Sequence, residues 1–208
     1  VEAIIRGRYF FRHPEITVKT ELVLLQGGQV VLASATLPVS LAETTDVMVD
    51  LVRRGHRTIA FTRSRKGTEL VYRWARDRLD PDRANRIAPY RAGYLAEQRR
   101  EVEQRLFSGD LLGVIATNAL ELGIDVGALD AAIITTFPGT IASFRQQAGR
   151  AGRSTDESVA VLVAGEDALD QYFMNHPEQL FARPAEAAVV NPSNPNVLGA
   201  HLGCAAHE

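Results

Sequence analysis

Between residues 57 and 165, short apolar runs alternate with longer stretches whose apolar positions recur every three or four residues. The runs at 58–62, 87–90, 112–116, 131–136 and 158–164 are too short for helices and predict buried strands. Between the first two, Leu70, Val71, Trp74, Ala75 and Leu79 fall at helical spacing behind Ser64, whose hydroxyl can cap a helix N-terminus. Residues 96–107 predict a second helix, polar on one face, with Val102, Leu106 and Phe107 turned inward and Ser108-Gly109 ending it. Residues 140–151 predict a third. Strands and helices in alternation imply an α/β domain, a parallel sheet covered on both faces. Such sheets carry their functional loops at the C-terminal ends of the strands. Thr62-Arg63-Ser64, Arg91-Ala92-Gly93, Thr117-Asn118 and Phe137-Pro138-Gly139 each follow a strand, so they are expected along one sheet edge.

The pattern changes on either side. In residues 1–56, apolar runs at 17–25 and 29–32 flank Gly27-Gly28 and predict two strands around a turn. A helix over 42–52 follows, with Leu41, Val47, Met48, Leu51 and Val52 apolar. In residues 166–208, a helix is predicted over 167–175, with Leu169, Tyr172 and Phe173 apolar, and His176-Pro177 breaks it. Pro184, Pro192 and Pro195 mark an extended segment, and 197–206 begins another helix. The expected organisation is an N-terminal segment 1–56 of unassigned fold, an α/β domain 57–165, and a C-terminal extension 166–208 leading to a further domain.

Composition narrows the picture only a little. A chain of 208 residues with 46% hydrophobic content suits one medium domain with extensions or two small ones. No run of 18 apolar residues and no signal-peptide pattern occurs, so neither a membrane span nor secretion is expected. The single cysteine, Cys204, fits a reducing, cytoplasmic setting. Residue 1 is Val rather than Met, which suggests a trimmed chain or an internal fragment. The net charge of −2 carries no global nucleic-acid signature. Lys19 and Lys66 are the only lysines, so nearly every basic residue is arginine, which matches phosphate in a bidentate way; the codon bias of a GC-rich genome explains the same excess.

Four segments can carry chemistry. In Gln146-Gln147-Ala148-Gly149-Arg150-Ala151-Gly152-Arg153, the two arginines lie three apart on the predicted helix and project from one face. Gly149 and Gly152 cost such a helix roughly 1 kcal/mol each relative to Ala, which invites a reason. Bare backbone beside two guanidinium groups would let a triphosphate approach. A surface helix with solvated arginines is the plainer reading. The strand ending at Ala116 runs into Thr117 and Asn118, whose side chains and N–H groups can hold phosphate. Gly123 and Asp125 follow at a turn, where Asp125 can bind a ribose hydroxyl, orient an arginine or simply cap the turn. Thr62-Arg63-Ser64 at a helix start and Arg91-Ala92-Gly93 are further backbone-phosphate candidates, or plain caps with solvated arginines.

Other chemistries lack their residues. There is no G-x-x-x-x-G-K-[ST] phosphate cradle and no Asp-Glu pair after an apolar strand to hold Mg²⁺. His13, His56, His176, His201 and His207 show no metal-ligand spacing, and no metal site is expected. Ser34 lacks a nearby His and Asp for nucleophilic catalysis.

In this order and spacing, the segments resemble the second RecA-like domain of superfamily 2 helicases. Residues 58–65 are similar to motif IV, Arg91-Ala92-Gly93 to the H-x-G element after it, Ala116 to Asp125 to motif V, and Gln146 to Arg153 to motif VI, Q-x-x-G-R-x-G-R. Tyr90-Arg91-Ala92-Gly93-Tyr94, Thr117-Asn118-Ala119-Leu120-Glu121-Leu122-Gly123-Ile124-Asp125 and Pro138-Gly139-Thr140-Ile141-Ala142-Ser143 narrow the resemblance to the DEAD/DEAH-box DNA helicases of the YprA and MrfA type, which carry a C-terminal zinc-binding domain. The resemblance implies a RecA-like parallel sheet and an ATP-dependent motor. ATP with Mg²⁺ would be held mainly by an absent first RecA-like domain. Arg150 and Arg153 would reach the γ-phosphate, and Gln146, Gly123 and Asp125 would couple nucleotide to the domain interface. Arg63, Ser64, Arg91, Gly93, Thr117 and Asn118 would touch single-stranded DNA, or RNA. Ser34-Ala35-Thr36 is similar to motif III, which belongs to the first domain, and equally fits a coincidental turn. Two other readings of the whole stay open: a binding module without ATPase activity, and an RNA helicase fragment.

Overall fold

The structure is a computed structural model that describes residues 4–5, 20–25, 28–34, 39–91, 93–121, 129–152, 158–187, 191 and 193–207. Its elements run β1 (Ile4–Ile5), β2 (Thr20–Leu25), β3 (Gly28–Ser34), α1 (Val39–Arg53), β4 (Thr58–Phe61), α2 (Arg65–Arg78), α3 (Pro81–Ala84), β5 (Ile87–Tyr90), α4 (Ala96–Phe107), β6 (Gly113–Ala116), β7 (Ala131–Thr135), α5 (Ile141–Ala148), β8 (Val159–Ala164), α6 (Ala168–Asn175), α7 (Gln179–Ala182) and α8 (Pro195–His207).

All these strands join one sheet in the order β1-β2-β3-β8-β7-β4-β6-β5. The five strands from β4 to β8 are mutually parallel, the expected doubly covered RecA-like α/β arrangement. The hairpin of β2 and β3 is closed by the pair Leu25 and Gly28, and β3 then docks parallel to β8, with Ser34 opposite Ala164. Ala35 and Thr36, the rest of the motif III look-alike, lie outside the described residues.

Strand residues alternate between two buried layers. Ile59, Phe61, Val114, Ala116, Ile134 and Leu162 face one side, where Leu106, Ile141, Phe144, Phe173 and Leu180 cover them. Ala60, Ile115, Ile133, Val161 and Val163 face the other, under Met48, Val49 and Val52 of α1 and Val71 and Ala75 of α2. Because both faces are buried, the strands read as continuous apolar runs rather than alternating ones. α1 therefore belongs to the packed body of the sheet, and Thr44 on it hydrogen-bonds Thr135 of β7 at 2.9 Å. Its close approach requires Gly113: a Cβ there would run into Met48 and stand 2.9 Å from Ile87 Cγ2. Among the described residues, no helix is long and apolar enough to cross a membrane.

Candidate functional site

Parallel register brings the strand ends level. Phe61 pairs with Ala116 and with Ile134, and Tyr90 pairs with Ala116. The ladder runs one residue further, through Thr62 N–H to Ala116 O at 2.8 Å, Thr117 N–H to Tyr90 O at 3.3 Å and Thr136 N–H to Val163 O at 2.7 Å. Arg63, Arg91, Asn118 and Thr136 consequently follow neighbouring strands along one edge. A cleft of about 180 Å³ opens there, lined by Thr62, Arg63, Asn118, Thr136, Ser143 and Gln147 among others.

Local chemistry sets each side chain. Ser64 caps α2, its hydroxyl accepting from Gly67 N–H at 3.0 Å, so the cap and the phosphate-contact reading of Ser64 share one oxygen. Thr62 is tied to Thr68 at 2.8 Å, which stiffens the turn that presents Arg63. Arg63 is about half exposed and stands 3.9 Å from Asp167, a weak contact at that distance. Arg91 donates to Glu69 at 2.7 Å and lies over the Tyr94 ring, 4.8 Å from its centroid. The bond to Glu69 holds the Arg91 pKa above its ordinary value. Partial burial, then the Glu69 charge, raises the Tyr94 phenol. Gly93 follows with φ 104°, and the guanidinium groups of Arg65 and Arg91 flank the open space beside it. Tyr90 anchors the strand end by donating to Glu103 at 2.6 Å, and burial with that bond pushes its pKa up to about 12.

Thr117 is buried and Asn118 opens a single 3₁₀ turn ending at Leu120. Glu121 comes next and organises the neighbouring helix. Its carboxylate accepts from Ser143 Oγ at 2.7 Å and Gln147 Nε2 at 2.8 Å, and Gln147 also donates to Ser143 at 3.2 Å. Its backbone carbonyl accepts from Arg150 Nε at 3.0 Å and from Arg150 Nη2. Arg150 is only 8% exposed and Gln147 5%, whereas Gln146 is exposed.

One expectation is corrected. The helix predicted over 140–151 stops at Ala148, with Gly149 as its C-cap, and the chain continues in tight turns from Gln147 to Arg150 and from Ala148 to Ala151. Gly152 then takes φ 86°, a left-handed conformation that ends any helix, and a Cβ on it would strike the Ser158 side chain. Arg150 therefore lies on a turn beyond the helix end. Gly152 thus has a local reason of its own, its left-handed backbone and its packing against Ser158. Arg153, Gly123 and Asp125 lie outside the described residues.

Residues that sequence reasoning passed over complete the edge. Thr136 has φ 64°, rare for a β-branched residue, and its buried hydroxyl has no hydrogen-bond partner among the described residues. Asp170, 1% exposed, accepts from Phe137 N–H at 2.5 Å and Gly165 N–H at 2.7 Å, joining the loops after β7 and β8. Burial raises its pKa, opposed by those two bonds. Glu186 accepts from Ile141 and Ala142 N–H at 2.7 and 3.0 Å, at the start of α5. Of the residues passed over, Glu121 carried a signal in sequence: a carboxylate between apolar Leu120 and Leu122.

A sequence profile for the helicase conserved C-terminal domain matches residues 42–155. The chain belongs to that family. Among helicase relatives, it is 43% identical over 168 residues to the ATP-dependent helicase YprA of Bacillus subtilis, covering 80% of this chain and 22% of YprA. It is 39% identical over 173 residues to the ATP-dependent helicase hrq1 of Schizosaccharomyces pombe, covering 81% of this chain and 16% of that protein. The crystal structure of the helicase MrfA bound to DNA superposes with a TM-score of 0.79 at 38% identity, over 86% of this chain and 25% of MrfA. The chain thus spans about a fifth of the length of the curated relatives it matches.

Proposed function

We propose that the chain is the second motor domain of an ATP-dependent DNA helicase or translocase, and that it completes an ATP site whose phosphate cradle lies in a first RecA-like domain. The observation that carries this reading is the row of Arg63, Arg91 and Asn118 at level strand ends, beside a turn that holds Arg150 against the segment after Asn118. In this reading Arg63, Ser64, Arg91, Gly93, Thr117 and Asn118 contact the backbone of a single strand. Arg150 and Arg153 offset charge on the γ-phosphate, where positioned guanidinium groups act most strongly. Gln146, Gly123 and Asp125 couple the nucleotide to the domain interface. The exposure of Gln146 beside buried Gln147 supports a role for Gln146 at a surface that another domain covers.

The residues present suit an anion rather than a metal. Among the described residues, no three His, Cys, Asp or Glu side chains cluster as a metal site, so Mg²⁺ would take its ligands from the first domain and the nucleotide. DNA is favoured over RNA because MrfA, 38% identical, is described bound to DNA, and because Lhr of Mycobacterium smegmatis, 29% identical with a TM-score of 0.66, is described bound to single-stranded DNA and AMP-PNP.

The test has two arms. The purified 208-residue chain should show no nucleic-acid-stimulated ATPase activity. In the motor that joins this domain to a first RecA-like domain, Arg153→Ala should abolish hydrolysis while DNA affinity is kept. ATPase activity from the chain alone, or loss of DNA binding with normal hydrolysis in the variant, would reverse the assignment.

A further inference from the structure

Glu121 touches the segment that carries the arginines through two chemically separate parts, its carboxylate and its carbonyl. One carboxylate oxygen takes the Ser143 hydroxyl and the Gln147 amide, which lie one turn apart on α5 and bond each other. This closes a triangle on the inner face of the helix just before it ends. The carbonyl of the same residue takes two donors of the Arg150 guanidinium, two residues beyond the end of α5. A planar guanidinium with two donors on one carbonyl takes part of its orientation from that carbonyl. Among the described residues, the Glu121 N–H bonds Asn118 O at 3.0 Å. Its carboxylate bonds to Ser143 and Gln147 add a tie to α5. Gln147 and Arg150 are almost fully buried, so water competes poorly for these bonds.

We infer that Glu121 is a positioning residue, which sets the direction of the Arg150 guanidinium by locking the end of the β6 loop onto α5. The inference rests on the reading of Arg150 as a γ-phosphate contact. The function of Glu121 is that of a hydrogen-bond acceptor, not of a charge. A glutamine at 121 offers one carbonyl oxygen that can accept from both Ser143 and Gln147, whereas alanine offers none.

Two measurements test this. In the 208-residue chain, the Arg150 Nε–H signal in ¹⁵N NMR reports the guanidinium directly and needs no ATP. It should be protected from solvent exchange in the wild type, lose that protection in Glu121→Ala, and regain it in Glu121→Gln. In the two-domain motor, Glu121→Ala should lower kcat for ATP roughly 10- to 100-fold, the scale of a misplaced catalytic group, with single-strand affinity in the absence of nucleotide unchanged. Glu121→Gln should recover most of the loss. An unaltered Arg150 signal in Glu121→Ala overturns the inference, as does Glu121→Gln behaving like alanine. If Glu121→Ala fails to fold, Ser143→Ala and Gln147→Leu remove the two donors singly, and an unchanged Arg150 signal in both overturns it equally. Arg150→Ala in the motor separates the two claims: full ATPase activity there removes the γ-phosphate role, while the NMR result still decides what Glu121 does.

Discussion

Asp170 bonds two loops through a carboxylate almost sealed from water, Phe137 N–H on one oxygen and Gly165 N–H on the other. Asp170→Ala would leave both donors buried with no acceptor. An unpaired buried polar group costs roughly 1–3 kcal/mol, so the variant should lose about 2–4 kcal/mol of stability, read from urea unfolding at neutral pH. A loss within error of zero would mean that solvent reaches both amides. In the sequence Asp170 was one polar residue in a helix with apolar Leu169, Tyr172 and Phe173, and nothing local distinguishes a carboxylate that tertiary packing will bury. Thr136 was hidden for a related reason. A β-branched residue closing an apolar run reads as strand, whereas Thr136 takes φ 64° where the chain leaves β7 ahead of Pro138-Gly139. Glu121 was legible as an oddity but not as an organiser, since its partners Ser143 and Gln147 lie 22 and 26 residues away.

At the scale of elements, α5 carries the segment on which the functional reading depends, and residues beyond the family match hold it. Thr140 accepts from Ser143 N–H, Glu186 accepts from Ile141 and Ala142 N–H, and Arg145 donates to the carbonyls of Phe181 at 3.0 Å and Arg183 at 2.5 Å. With Leu180 fully buried beneath, the stretch around α7 clasps the helix from outside. The two backbone bonds hold the Glu186 pKa below its ordinary 4.5. In the unfolded chain the carboxyl regains the ordinary value and binds its proton first as pH falls. The stabilisation from Glu186 is therefore complete above pH 4.5 and disappears as pH falls through the lower folded value. Glu186→Ala should flatten the acid limb of the stability curve and speed amide exchange at Ile141 and Ala142; unchanged exchange at both would mean the capping bonds are not held in solution. The strands of the central sheet and the start of α2 were readable in advance because burial and capping are written in short range. The end of α5 was not. Helical periodicity continues through Ala151, whereas in the fold Arg150 bonds a carbonyl 29 residues earlier and Gly152 takes a left-handed φ of 86° beside Ser158. The clasp was equally invisible, since Glu186 and Arg145 are ordinary surface charges until α7 packs.

For the whole molecule, a net charge of −2 supplies no global attraction to nucleic acid, so in the proposed reading the single-strand affinity comes from the local row of arginines at the sheet edge. There the strand ends present Arg63 and Arg91, with Arg65 opening α2 beside Gly93. Arg91 is partly neutralised by Glu69, and Arg63 faces Asp167 at a distance that solvent screens well. If three phosphates are neutralised along the edge, the release of counterions from a single strand, about 0.7 per phosphate, gives a slope of log K against log salt near −2. A chain that bound diffusely through scattered arginines would give a slope that no single substitution changes. Binding along the edge predicts instead that Arg63→Ala weakens single-stranded DNA binding and makes the slope shallower by about 0.7, whereas Arg54→Ala, paired with Asp50 on α1, leaves both unchanged. Because these contacts read the backbone and not the bases, affinity should vary little between homopolymers of different sequence. Fluorescence anisotropy titrations across salt concentrations measure all of this on the isolated chain. A slope that responds equally to Arg63→Ala and Arg54→Ala would place the nucleic acid elsewhere than on the strand ends.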